Sequence, residues 1–279
     1  MIFCRPVISL FAIVFSGCFL LSGCTMQISE KEDDQPGTAN ALPVEIQMQR
    51  LHSYPEGGSL VIPATEMAAG DILLTSPYGP TSLGIRLFSA STVSHAAIYL
   101  GNDQVVEAVG GSGVQIVSLD KVMDHNSKII VFRVPELSVE QALAIRDFSE
   151  SQVGQRYNYN GVALMAPFMM TRQLCSLNPF SEKFRNSCIS TLAKVQLGSD
   201  DDAKGSFFCS QFVIEAYNRA GRPITASDPV WVSPVDLLHM REGDVASLTP
   251  NKPLLYVGHL KKGIVENTTA SIQDFFSFK

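Results

Sequence analysis

The stretch Ser206-Phe207-Phe208-Cys209-Ser210-Gln211-Phe212-Val213-Ile214-Glu215-Ala216-Tyr217 decides how this chain is read. Phe212, Val213, Ala216 and Tyr217 recur at helical spacing, and Gly221 stands where a C-terminal cap belongs. Cys209 is therefore expected at or near a helix N-terminus, where peptide dipoles favour an anion and hence the thiolate. A nucleophile needs that help, because a free cysteine with a pKa of about 8.5 is only slightly ionised at neutral pH. A cysteine behind two phenylalanines is also an ordinary core residue in many proteins, so the helix is informative only with a partner.

The partner for such a thiol is a histidine, and the chain has five. His95 opens the run Ser94-His95-Ala96-Ala97-Ile98-Tyr99-Leu100-Gly101, which reads as a short apolar strand. After the turn Gly101-Asn102-Asp103, a second strand runs Gln104-Val105-Val106-Glu107-Ala108-Val109. A three-residue loop pairs Leu100 with Gln104 and puts the odd-numbered positions of both strands on one face. Glu107 is then a diagonal neighbour of His95, with Cβ atoms about 7–8 Å apart, and a slip of one residue would move it to the other face.

Together these segments resemble the papain-like NlpC-type superfamily in its circularly permuted branch, where the histidine strand precedes the cysteine helix, and within it the YaeF/YiiX-like lipoproteins. The resemblance runs from about Ala64 to Lys261 and rests on Gly70-Asp71-Ile72-Leu73, on Ser94 to Gly101, on Val106-Glu107-Ala108 and on Phe208-Cys209-Ser210-Gln211-Phe212. It implies an α+β papain-like fold with an antiparallel central sheet and the nucleophile on a helix N-terminus. It further implies a thiol hydrolase in which Cys209 attacks, His95 acts as base and acid, and Glu107 orients the imidazole. Peptidoglycan-cutting members in the usual chain order tend to carry Asp-Cys-Ser-Gly where this chain has Phe208-Cys209-Ser210-Gln211. That departure touches the cell-wall substrate and leaves the triad alone.

The first residues form a targeting segment, excluded from fold reasoning. Arg5 precedes an apolar run from Val7 to Leu21, and Leu21-Ser22-Gly23-Cys24 resembles a bacterial lipobox, so residues 1–23 are expected to be a signal peptide and Cys24 the lipidated residue. Phe15-Ser16-Gly17-Cys18 is a weaker second lipobox, and the run falls short of the roughly 20 residues a spanning helix needs. Thr25 in place of Asp suggests, by resemblance to Gram-negative lipoproteins, sorting to the outer membrane facing the periplasm. Residues 24–63, including Glu30-Lys31-Glu32-Asp33-Asp34-Gln35-Pro36-Gly37, read as a flexible tether. Residues 64–262 suit one catalytic domain, and residues 263–279 read as a frayed tail.

Net charge is −6. Without a basic stripe the chain is a poor nucleic-acid binder, and it carries no Walker, dinucleotide-binding or zinc spacing, so neither a metal nor another cofactor is expected. Its expected partners are a membrane, through the lipid, and a peptide or acyl substrate of the envelope; oligomeric state is left open. An oxidising compartment allows one bridge among Cys175, Cys188 and Cys209. Cys175 and Cys188 share one segment and pair on that reading, leaving Cys209 as the odd thiol, with three free thiols as the alternative.

Asp71–Thr75 is expected to open the domain as a strand, followed by a central sheet of Ala96–Leu100, Val105–Val109, Val114–Val117 and Ile129–Val134, these consecutive strands lying antiparallel and adjacent, with a last strand at Leu254–Val257. Leu83–Ser89 reads as a short helix. Ser138 with Gln141 forms a capping box, and Ser233-Pro234 starts another helix. The methionine-rich stretch Gly161–Leu174 reads as a core helix kinked at Pro167, or as a flexible lid or acyl-binding wall. Three functions fit these features: an envelope peptidase or amidase, a lipid acyltransferase or thioesterase, and a non-catalytic envelope binding protein on the same scaffold.

Overall fold

The computed structural model describes residues 25–30, 44–50, 52–55, 58–78, 91–176, 182–198 and 205–262. The expected signal peptide, Cys24, the helix at Leu83–Ser89 and the tail from residue 263 lie outside the described residues. Met26–Glu30 (β1) and Val44–Met48 (β2) pair as an antiparallel ribbon. The sheet that organises the domain contains Ile72–Pro77 (β3), His95–Gly101 (β4), Gln104–Val109 (β5), Gly113–Ser118 (β6), Asn126–Arg133 (β7) and Leu255–Lys261 (β10), in the order β10-β7-β3-β4-β5-β6. Every pairing within it is antiparallel.

One expectation about the sheet fails. The strand after β6 does not pair beside it, because Leu119–His125 folds into a helix (α1) that carries the chain across to the far side of β3. Ser118 caps this helix by accepting from the Lys121 N–H, and Leu119 and Val122 bury against Leu73, Ala97, Val105, Ile129 and Val131. That apolar contact covers one face of the sheet and makes the crossover favourable.

The other face is covered by Val139–Ser151 (α2) and Cys209–Arg219 (α6), whose Ile145, Phe212, Val213 and Ala216 pack with Ile72, Leu74, Ala96, Ile98, Val106 and Ala108. The expected capping box of α2 is present in full, with Ser138 and Gln141 bonding reciprocally. Helix α6 ends at Gly221, with φ 66°, where Arg222 N–H reaches the Tyr217 carbonyl at 2.9 Å and Gly221 N–H reaches that of Asn218 at 3.0 Å. Tyr217 also donates to the carbonyl of Gly70. Gly70 has φ 92°, and a Cβ there would lie 2.3 Å from Leu137. The next residue, Asp71, is 1% exposed and takes a two-pronged bond from Arg133, with Nε 2.7 Å and Nη2 2.8 Å from its carboxylate oxygens. Gly70-Asp71 is thus the socket that fixes the rear of the cysteine helix.

Between α2 and α6 the chain makes a helical excursion: Tyr159–Thr171 (α3), Gln173–Ser176 (α4) and Glu182–Gln196 (α5). Cys175 and Cys188 are joined as a disulfide within it, with Cα atoms 5.6 Å apart. Its root is fixed by Arg172, whose Nη1 lies 2.9 Å from the carboxylate of Asp236 on Pro234–His239 (α7), with both side chains at most 5% exposed.

Described parts of the amino-terminal segment bond to the domain. Thr25 is 2% exposed and its hydroxyl lies 3.0 Å from that of Ser247, while Gln49 Nε2 donates to the Val245 carbonyl at 2.9 Å. Further along, Ser53 is buried and accepts from Lys128 Nζ at 3.2 Å. Of the charged stretch Glu30–Gly37, residues 31–37 lie outside the described residues.

Asp236→Ala should leave the Arg172 guanidinium buried without its counter-charge and cost roughly 3–5 kcal/mol. Urea unfolding followed by far-ultraviolet circular dichroism checks this; an unchanged midpoint would mean that the pair contributes nothing.

Candidate active site

The chain enters α6 through a two-residue strand, Ser206–Phe207 (β9), that pairs in parallel with Arg156–Tyr157 (β8), Tyr157 opposite Phe207. Phe208 is extended at φ −95° and ψ 168°, and Cys209 is the first helical residue. Gln211 Oε1 accepts from the Phe208 N–H and from Asn158 Nδ2, each at 3.2 Å, and Asn158 Oδ1 caps α3 through the Gly161 N–H at 2.8 Å. Ser210 donates to the Val232 carbonyl at 2.7 Å. Cys209 is thereby held between two strand ends and a capped turn, with 6% of its surface exposed. At the first helical position its N–H has no partner within the helix.

His95 is the first residue of β4. Its turn to β5 is tighter than expected: Asn102 and Asp103, at φ 52° and 62°, form a two-residue hairpin loop, and the register shifts between Tyr99 and Gly101. Beyond that irregularity the pairing follows the sequence reading, with Tyr99 opposite Val105 and Ala97 opposite Glu107. Glu107 is therefore diagonal to His95, and its Oε2 lies 2.9 Å from Nε2 of the imidazole. Glu107 Oε1 accepts from Gln115 Nε2 at 2.9 Å. Gln115 stands directly opposite Glu107 on β6 and was not singled out from the sequence; the β5–β6 register would have pointed to it.

The imidazole and the Cys209 thiol lie near enough for each to shift the other's protonation. Burial by itself disfavours charge on both groups, but their mutual attraction outweighs it. The His95 pKa is raised to about 10, with Glu107 adding to the effect. The Cys209 thiol is held below its ordinary value against burial by His95 and by the backbone N–H groups of Ala96 and Ser210. Burial would likewise raise Glu107, yet its bond to His95, the imidazolium charge, Gln115 and Lys121 hold it below the usual carboxylate range. The favoured state is a thiolate beside an imidazolium beside a carboxylate.

A cleft of about 220 Å³ borders His95 and Glu107, with Val109, Val117 and Val122 on its walls and Lys121 at its edge. Among the described residues no group of three or more His, Cys, Asp or Glu side chains is placed to hold a metal ion. Of the other sequence candidates, Cys175 and Cys188 lie in the helical excursion, away from the thiol of Cys209 in a bond of their own, and Cys24 is outside the described residues.

The helix-borne cysteine and the antiparallel sheet are those of a papain-like fold, and comparisons with known proteins show the family. Residues 66–176 match the family described as "Permuted papain-like amidase enzyme, YaeF/YiiX, C92 family". The chain is 48% identical over 247 residues to the "Probable lipoprotein peptidase YaeF" of Escherichia coli strain K12, covering 88% of this chain and 90% of that protein. It therefore belongs to this family of permuted papain-like peptidases and amidases, which are hydrolases. The crystal structure of metalloprotein yiiX from Escherichia coli O157:H7 is 18% identical and aligns over 68% of this chain and 89% of that one, with a TM-score of 0.37.

Because the thiol is lowered by its neighbours, alkylation of Cys209 by iodoacetamide should persist well below pH 8. His95→Ala removes the largest favourable contribution and leaves burial, so the midpoint should rise to about 8.5 or above. The measurement is labelling rate against pH, followed at the Cys209 peptide; a midpoint unmoved by the substitution would separate the two side chains.

Proposed function

We propose that this chain is an envelope-anchored thiol hydrolase that cleaves peptide amide bonds through Cys209, His95 and Glu107. One observation carries the reading: a single imidazole that lies beside both the cysteine and a carboxylate, in a buried site. The Cys209 thiolate attacks the carbonyl carbon, and the oxyanion that forms lies near the free N–H at the start of α6. His95 gives its proton to the leaving amine, and the acyl group stays on sulfur. It then takes a proton from water, which attacks the thioester and releases the acid. Glu107 keeps the ring oriented and favours its charged form. The family match supports amide hydrolysis, and the tether to the envelope makes wall peptides the substrate class in reach.

The methionine-rich helix α3, with Leu164 and Met170 exposed, favours a second reading in which the acyl group comes from a lipid. Incubating the mature protein with an envelope extract and identifying by mass spectrometry what Cys209 acquires decides between them: a peptidyl fragment supports the first reading, a fatty acyl group the second. The anchor reading rests on Leu21-Ser22-Gly23-Cys24 and is consistent with a relative described as a lipoprotein. An outer-membrane position follows from Thr25 in the same reading.

Cys209→Ala and His95→Ala should each reduce turnover of the identified substrate by on the order of a thousandfold or more, and Glu107→Gln by less. Wild-type rates in Cys209→Ala would remove the mechanism. Separately, Cys24→Ser should accumulate as unprocessed precursor, seen as a larger band that takes up no labelled palmitate; normal maturation of that variant would refute the anchor.

A further inference from the structure

Helix α3 is apolar nearly all round, a pattern that belongs to a buried helix, yet it is covered on one side only. Met165, Phe168 and Met169 enter the core, whereas Ala163, Leu164, Ala166, Pro167 and Met170 stand open. Leu164 is 45% exposed, Met170 56%, and Leu174 on α4 continues the stripe at 68%. Thr171 Oγ1 bonds Gln196 Oε1 at 3.0 Å, which brings the end of α5 alongside, where Val195 is 80% exposed and Lys194 is open to solvent.

Charge changes sign over the same segment. From Tyr159 to Gly198 the cations are Arg172, Lys183, Arg185 and Lys194 against one anion, Glu182, a net of +3 in a chain whose total is −6. Arg172 and Arg185 are buried, so Lys183 and Lys194 are the cations that this surface presents. No helix among the described residues is long and apolar enough to cross a membrane, and α3 has 13 residues.

We propose that the α3–α5 excursion is a second membrane contact, its apolar stripe lying in the interface of a bilayer that contains anionic phospholipid. Apolar side chains flanked by lysines fit that environment, with the stems buried among acyl chains and the ammonium groups among phosphates. The contact adds to the proposed Cys24 anchor without depending on it. It also places the site, because α3 starts at Asn158, which bonds Gln211 two residues past Cys209. A helix of that length spans about 20 Å, so the thiol is held within one helix length of the lipid surface. Substrates presented close to the bilayer are the ones this geometry serves.

The test introduces Met170→Trp and Leu174→Trp separately into the full-length mature protein on vesicles containing brominated phosphatidylcholine and an anionic phospholipid. The signal of wild-type Trp231 is subtracted. Val139→Trp, at a site 72% exposed on α2, is the control. Both test positions should be quenched roughly twofold more than the control, and adding Lys194→Glu should weaken the bound orientation by roughly fivefold. Quenching no greater than at Val139→Trp would overturn the proposal. Flotation with the vesicles reports the anchor independently: if the protein carries no lipid, the same comparison is made with added vesicles, and unequal quenching still supports the contact.

Discussion

His95 stands at the start of β4, between a carboxylate and a thiol carried on opposite faces of the central sheet. Alternation along β4 and β5 directs His95 and Glu107 to the face that α1 covers, while the helix bearing Cys209 packs on the opposite face. A histidine in the middle of β4 would be confined to one face. At the first residue of the strand the pairing with β5 has already stopped, and the ring touches the carboxylate with Nε2 while the thiol lies toward the other side. The β4–β5 register runs out at Ala97 opposite Glu107, and the N–H of Ala96 turns to the sulfur.

Burying three ionisable groups together is costly unless each satisfies the next. Here the chain of contacts is closed: Ala96 and Ser210 N–H groups and His95 serve the thiolate, Glu107 serves the imidazolium, and Gln115 takes the second carboxylate oxygen. The same economy extends outward from the site. Gln211 ties the entry of α6 to Asn158, and Tyr217 and Gly70 fix its other end over the Asp71–Arg133 pair. The nucleophile is positioned by buried polar bonds at both ends of one helix, and its apolar flank fills the core between them.

The helical excursion is closed on itself by its disulfide and is joined to this frame by the Asn158 cap, by the Arg172–Asp236 pair and by Met165, Phe168, Met169, Ile189 and Ala193, which enter the core. Its apolar side chains divide between core and solvent: Met165, Phe168 and Met169 are buried as a core helix requires, whereas Leu164 and Met170 are exposed. At the amino-terminal end, the described residues Thr25, Gln49 and Ser53 find partners on the domain.

Local physics is written in the sequence, and what it governs was legible there. The period of Phe212, Val213, Ala216 and Tyr217 defines the cysteine helix, Gly221 ends it, Ser138 and Gln141 cap α2, and alternation around a tight turn puts Glu107 diagonal to His95. The crossover through α1, the partner of Glu107 on β6, the polar socket at Gly70-Asp71 and the approach of Cys209 to His95 were not legible as contacts. They join residues distant in the chain, and such pairings are selected by which apolar surfaces the elements must share once formed. Tertiary packing decided how the thiol meets an imidazole that the hairpin register had already set beside a carboxylate, because the buried faces of α1 and α6 are pressed on opposite sides of the same strands.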